Sequence, residues 1–268
     1  MSDVLIEKQP SGVMIVTLNR PDKLNSMGGT LTEEFEAAMV DARTDLDVRA
    51  VIITGAGRAF CAGADLDAAN EGSSTRADQP SYNRGVAGMH VLHDRMAGSV
   101  FRCPKPTIAL VNGAAAGGGF GVALAADFRI ASQNAIFVSA FARIGLPGDN
   151  GVTWGLARLM SRSQALEILM TSPRLSADDA LRLGIVRNVV APEDLMPTGL
   201  AFAEQLADGP TEAFAIMKRN LEFAYTATYQ ASLDQEAAGI STSYMIGENK
   251  SAIQAFLDKT EPDFRNRS

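Results

Sequence analysis

Cysteine, histidine and basic charge are all scarce in this chain of 268 residues. Two cysteines, Cys61 and Cys103, are too few for a disulfide framework and fit a reducing compartment. The only histidines are His90 and His93, and no Cys/His cluster has metal-ligand spacing, so no metal centre is expected. A formal net charge of −7 excludes general affinity for nucleic acid, whose phosphates demand a basic face. No run approaches the roughly 18 apolar residues of a membrane span. The start, MSDVLIEKQP, has neither the basic opening nor the apolar core of a signal peptide. The expectation is a cytoplasmic protein that binds neither nucleic acid nor membrane. What remains, 46% apolar and 21% charged residues, is ordinary globular composition with enough chain to bury a full core.

Val4–Lys8 and Val13–Leu18 read as a hairpin around Gln9-Pro-Ser-Gly12. Thr30-Leu-Thr-Glu33 has capping-box spacing and opens a helix to about Arg43. Ala50–Thr54 is a short apolar strand, and residues 68–81 are small and polar, as in a mobile loop. Tyr82–Arg102 has helical length and stops at Cys103-Pro-Lys-Pro106. Short strands are expected at Phe128–Ala131, Ile136–Val138 and Ile185–Val190, with a helix starting at Ser176 and almost only helices beyond. Alternating strands and helices, followed by a helical end, make an α/β fold.

The most informative segment is NGAAAGGGFG, Asn112 to Gly121, directly after the apolar strand Thr107–Val111. A strand, three glycines and an apolar helical run place bare N–H groups at a helix N-terminus. Such groups can hold an anion, or an oxygen that becomes anionic during a reaction. Close strand–helix packing without a ligand explains the same glycines.

Together with Phe60-Cys-Ala-Gly-Ala-Asp-Leu66, this segment resembles the crotonase (enoyl-CoA hydratase/isomerase) superfamily. The resemblance extends to Leu18–Asn25, Ala125–Asp127, Gly145–Asp149 and Ala255–Lys259, and so covers nearly the whole chain in order. It implies a spiral of β-β-α units over residues 1–195 and a helical trimerisation region over 196–268, assembled as a trimer or a dimer of trimers. It implies an acyl-CoA thioester as substrate, with coenzyme A entering as part of it and no permanently bound cofactor. By motif position, the thioester carbonyl would lie between the N–H groups of Ala62 and Gly118, with Gly117 beside them. Lys23 and Leu24 match a segment that contacts the CoA, and Ala64, Asp65 and Leu66 one that holds its adenine. Phe256 and Lys259 match a helix that reaches the CoA of a neighbouring subunit.

Hydratases of this family use two glutamates, and those positions fall here on Gly121 and Phe141. Neither can move a proton. Phe141 and Trp154 are read as pocket lining or core. Asp149, just before a helix, occupies the place of the acid in several family isomerases, and a single carboxylate suits a proton shuttle. Read from local sequence, Asp149 is also a good helix N-cap. The segment Phe137–Leu159 further resembles hydrolytic aryl-CoA dehalogenases, in which an aspartate at this place attacks the ring and a histidine base stands on the preceding helix. Counting back from Asn112-Gly113 puts that base at Asp94. His93 is one residue away, and one residue turns a helical side chain by about 100°. Three readings follow: enoyl-CoA isomerase, aryl-CoA dehalogenase, or an acyl-CoA binder that has lost catalysis.

Overall fold

The computed structural model describes residues 2–65 and 82–265, so Leu66 and the predicted loop at 68–81 lie outside the described residues. The hairpin forms as expected, with β1 (Val4–Lys8) antiparallel to β2 (Val13–Leu18). Helix α1 (Leu31–Thr44) follows, but the capping box does not form. Thr30 Oγ1 donates to Glu34 at 2.6 Å, and Glu33 is taken up by Arg95.

From here a unit repeats. β3 (Ala50–Gly55) and β4 (Ala59–Cys61) precede α2 (Tyr82–His93). β5 (Thr107–Val111) and β6 (Ala114–Ala116) precede α3 (Gly118–Ala125). β7 (Phe128–Ser132) and β8 (Ile136–Val138) precede α4 (Val152–Leu159). The first strand of each pair enters one sheet, in the order β1-β2-β3-β5-β7-β10. The second enters another, β4-β6-β8-β9, and β9 (Leu175–Ser176) and β10 (Asn188–Val190) complete the two. Pairing is parallel from β2 through β10 and from β4 through β8, which requires a crossover at each step. The β-β-α spiral is therefore present, although no sequence repeat announces it. The last strand is shorter than predicted because the Ile185 and Val186 N–H groups donate to the Ala180 carbonyl instead of a ladder.

The remaining helices are α5 (Arg162–Thr171), α6 (Ala177–Arg182), α7 (Leu195–Ala207), α8 (Thr211–Ala224), α9 (Tyr229–Ile246) and α10 (Glu248–Asp258). Strand side chains alternate between two cores, as their period of two requires. Ile52, Ile108, Leu110 and Ile130 pack with Leu195, Ala203 and Ala207 of α7. Their neighbours Val51, Ile53, Ala109, Val111 and Ala131 face Phe35, Phe60, Phe120 and Phe137. Being apolar on both faces is what a covered parallel sheet needs. Asp127 ties this frame together: it accepts from Thr107 N at 2.8 Å, Thr107 Oγ1 at 2.9 Å and Lys218 Nζ at 2.7 Å. Among the described residues no helix is long and apolar enough to cross a membrane.

One element departs from its expected form in a way that matters. The predicted single helix from Tyr82 to Arg102 is α2, then a π-turn at Asp94–Gly98, then a last turn at Ser99–Phe101. A π-turn closes i→i+5 bonds and holds one residue more than an α-turn. Every residue before it is therefore one position out of step with a count made from the far side.

Candidate active site

The glycine run does what its composition suggests. Gly117 adopts φ +52°, ψ −125°, and its N–H donates to Val138 O at 3.0 Å. Its carbonyl receives the N–H groups of Phe120 and Gly121 at 3.1 and 3.2 Å, which starts α3. No acceptor within the described chain takes the Gly118 N–H. Phe141 flanks this point: a Cβ on Gly117 would lie 3.8 Å from its ring.

The second donor differs from the expected one. The Ala62 N–H donates to the Leu24 carbonyl at 3.0 Å and is already used in holding the Lys23-Leu24 turn against β4. One residue on, the Gly63 carbonyl accepts from Met27 N at 2.7 Å. Across a trans peptide the N–H points opposite to the C=O, so the Ala64 N–H points away from Met27. No described acceptor takes it. Gly63 lies against the β6–α3 junction, and a Cβ on it would be 3.3 Å from Gly118 N. The free amides at this junction thus belong to Ala64 and Gly118. Ala64 exchanges its adenine-side expectation for the place assigned to Ala62.

Asp149 does not cap α4. Gly151 is the N-cap, without a side-chain bond, and only the Asp149 backbone carbonyl engages the helix, from Val152 N at 3.1 Å. The carboxylate turns inward. Its Oδ1 accepts from Asn150 N at 2.7 Å and lies 2.5 Å from His93 Nε2. Its Oδ2 lies 3.2 Å from the point a Cβ on Gly118 would occupy. One oxygen is anchored by two partners and the other faces the oxyanion glycine. With Asp149 ionised, Nε2 carries the proton and donates. His93 therefore does reach the candidate acid, against the expectation from residue counting. The π-turn supplies the missing one-residue offset and turns His93, not Asp94, toward Asp149. Asp94 instead pairs with Arg102 at 2.8 Å.

The fold leaves no room for a side chain at Gly121. A Cβ there would lie 2.9 Å from both the carbonyl carbon and the Cβ of Asn150, with the Asn150 carbonyl oxygen nearer still. The Asp149-Asn150 turn occupies the space a glutamate would need. Asn150 itself was missed by sequence reasoning. It is 1% exposed at φ +47°, and nothing in the sequence distinguishes it from a loop asparagine.

The Asp65 carboxylate is committed to Arg20, with Oδ2 3.0 Å from Nη2. This pair closes the Arg20–Leu24 turn, which carries Lys23 and Leu24, onto the site. Phe256 and Lys259 are not brought to the site within this chain. α10 packs on α9, Phe256 is exposed, and Lys259 ends the helix at φ +57°. Trp154 is half-exposed, packs edge-on against Phe101 at 5.0 Å and lines a cavity of about 350 Å³ shared with His93, Gly121 and Asn150. It lines a pocket and is not part of the core.

Cys61 lies beneath Gly119 and is fully buried. Burial pushes its thiol up to about 11, so it stays protonated at neutral pH and is no nucleophile. Cys103 is raised for the same reason. At pH 7.5 the native protein should release no thionitrobenzoate from Ellman's reagent, and two equivalents in denaturant. Rapid labelling of the native protein would contradict this burial.

Residues 8–267 match the family described as enoyl-CoA hydratase/isomerase. A probable enoyl-CoA hydratase of Rhodobacter capsulatus is 35% identical over 96% of this chain and 95% of its own. A 1,2-epoxyphenylacetyl-CoA isomerase of Escherichia coli is 34% identical over the full length of both. Among solved structures, an enoyl-CoA hydratase from Polaromonas sp. JS666 superposes with a TM-score of 0.89 at 32% identity, covering 98% of this chain and 99% of that one. With a spiral of β-β-α units, an amide junction at Ala64 and Gly118, and matches end to end, the chain belongs to the enoyl-CoA hydratase/isomerase (crotonase) family of acyl-CoA enzymes.

Proposed function

We propose that the protein is an acyl-CoA isomerase that uses Asp149 as its single proton carrier. The observation that carries this reading is the carboxylate's posture, with Oδ1 anchored and Oδ2 open beside Gly118. The thioester oxygen accepts from the Ala64 and Gly118 N–H groups. Removing a proton from the acyl group then gives an enolate whose charge those donors stabilise. Asp149 Oδ2 takes the proton from one carbon and returns it to another. His93 and the Asn150 N–H hold the carboxylate so that the same oxygen serves both steps. The closed space at Gly121 and the ring at Phe141 favour this reading over hydration, while similar relatives are named both hydratase and isomerase. Lys23 and Leu24 are proposed to meet the CoA as it enters with the substrate.

The histidine favours a second reading. Asp149 Oδ2 could attack a halogenated aryl-CoA carbon and expel halide. Water, giving a proton to His93, would then cleave the aryl ester at the aspartyl carbonyl. A single turnover with a halobenzoyl-CoA in H₂¹⁸O distinguishes the two. Label in the Asp149 peptide supports hydrolysis, and an unlabelled peptide with no halide release removes it.

A further inference from the structure

The His93–Asp149 contact depends on a π-turn, and one buried side chain joins that turn to the rest of the site. Asn150 Oδ1 accepts from the Ala97 N–H, inside the Asp94–Gly98 turn, at 3.4 Å. Asn150 Nδ2 lies 3.8 Å from Met27 Sδ, on the segment bridged to Ala64, and 2.9 Å from the point a Cβ on Gly118 would occupy. Its backbone N–H donates to Asp149 Oδ1, and its carbonyl fills the space over Gly121. A single residue thus touches the π-turn that aims His93, the Met27 segment bridged to the residue bearing one free amide, the glycine bearing the other, and the carboxylate between them.

We infer that Asn150 is a positioning residue: through Ala97 it holds the π-turn in the register that aims His93 at Asp149. The reason is one of register. A π-turn competes with an ordinary α-turn, which would rotate everything before it by one residue, or about 100°. The Asn150 acceptor engages a donor inside the turn. The left-handed backbone of Asn150 makes it reachable, since asparagine tolerates that conformation better than other side-chain-bearing residues. Filling the position with a residue lacking the amide leaves the carboxylate in place but lets the turn relax. The consequence for turnover rests on the proposed isomerase reading, while the geometric claim does not.

The test keeps these apart. Asn150→Gly removes the side chain and keeps the left-handed backbone; Asn150→Ser provides a second, smaller polar variant. The chain holds only two histidines, so imidazole ¹⁵N–¹H spectra of the whole protein, assigned with His90→Gln, report the His93 Nε2 proton directly. In the wild type the His93 Nε2 proton, hydrogen-bonded to Asp149 Oδ1, should resonate downfield of a free imidazole N–H. Asn150→Gly should abolish or shift it upfield, with His90 unchanged. In kinetics, kcat should fall about 10- to 100-fold, with KM changed less than about threefold. In a His93→Phe background the same substitution should cost less than about twofold in kcat, because its effect passes through His93. An unperturbed His93 proton in folded Asn150→Gly and Asn150→Ser, or equal kcat losses with and without His93, overturns the proposal. If neither wild type nor variant isomerises any acyl-CoA, the functional reading fails, and the spectrum still decides the role of Asn150.

Discussion

On the proposed isomerase reading, Asp149→Asn lowers kcat by about 100- to 10,000-fold on the unsaturated or epoxide-derived acyl-CoA that the wild type turns over best, with KM little changed. The expectation follows from the inventory of proton carriers at the site. The helix Gly118–Ala125 carries no carboxylate that could substitute, and the positions that the resemblance matches to hydratase glutamates are Gly121 and Phe141. His93 bonds to Oδ1, on the far side of the carboxylate from Gly118. Asparagine keeps the shape and one acceptor but cannot take a proton, so binding survives while transfer is lost. Steady-state kinetics check this, and turnover within about twofold of wild type would remove Asp149 from the mechanism.

Gly121→Glu, the change that would restore a hydratase acid on paper, should destabilise the fold and give no hydratase. The new Cβ would meet the backbone of Asn150, and backbone cannot swing aside as a flexible side chain can. Overpacking of this kind costs about 3 kcal/mol or more when a backbone segment must move. In a chain of this length that is on the order of 10 °C in Tm. The segment displaced would be the one carrying Asp149, so the proposed isomerase activity should fall with stability. Calorimetry and a crotonyl-CoA hydration assay check both parts. A variant with wild-type Tm and clear hydration would show that the Asp149-Asn150 turn yields easily, which contradicts the packing described.

Much of the architecture was readable because it is written in residue types with fixed periods. Val13–Leu18 and Thr107–Val111 are apolar at a strand's length, and Gly117–Gly119 announce a tight backbone passage, with positive φ at Gly117 and close approach at Gly118 and Gly119. Ser176 and Asp179 form the capping box their spacing suggests. Thr30 and Glu33 have the same spacing but do not form one, because Arg95, 62 residues from Glu33, competes for the carboxylate. The site was legible as a set of positions and less so as a set of roles. Ala62 and Ala64 are the same residue type two apart. Which amide is free depends on Leu24 and Met27, whose carbonyl and N–H fix the chain's orientation. His93 was discounted by a count that assumed an uninterrupted α-helix, and no residue in Asp94–Gly98 advertises a π-turn. The ion pair that Asp65 makes with Arg20, 45 positions away, is likewise not written in the local sequence. Apart from the π-turn beside His93, the deciding contacts are long-range, and local pattern carries no information about them.

The central claim is that one carboxylate oxygen, opposite two backbone amides, does the proton transfer. The most direct test is a crystal structure with a non-isomerisable acyl-CoA thioether or saturated thioester bound. The account predicts Asp149 Oδ2 at about 3 Å from the carbon that loses or gains the proton. For the thioester it also predicts the carbonyl oxygen within hydrogen-bond distance of Ala64 N and Gly118 N. A carbonyl oxygen bonded elsewhere, or a different acid nearest the reacting carbons, would contradict it.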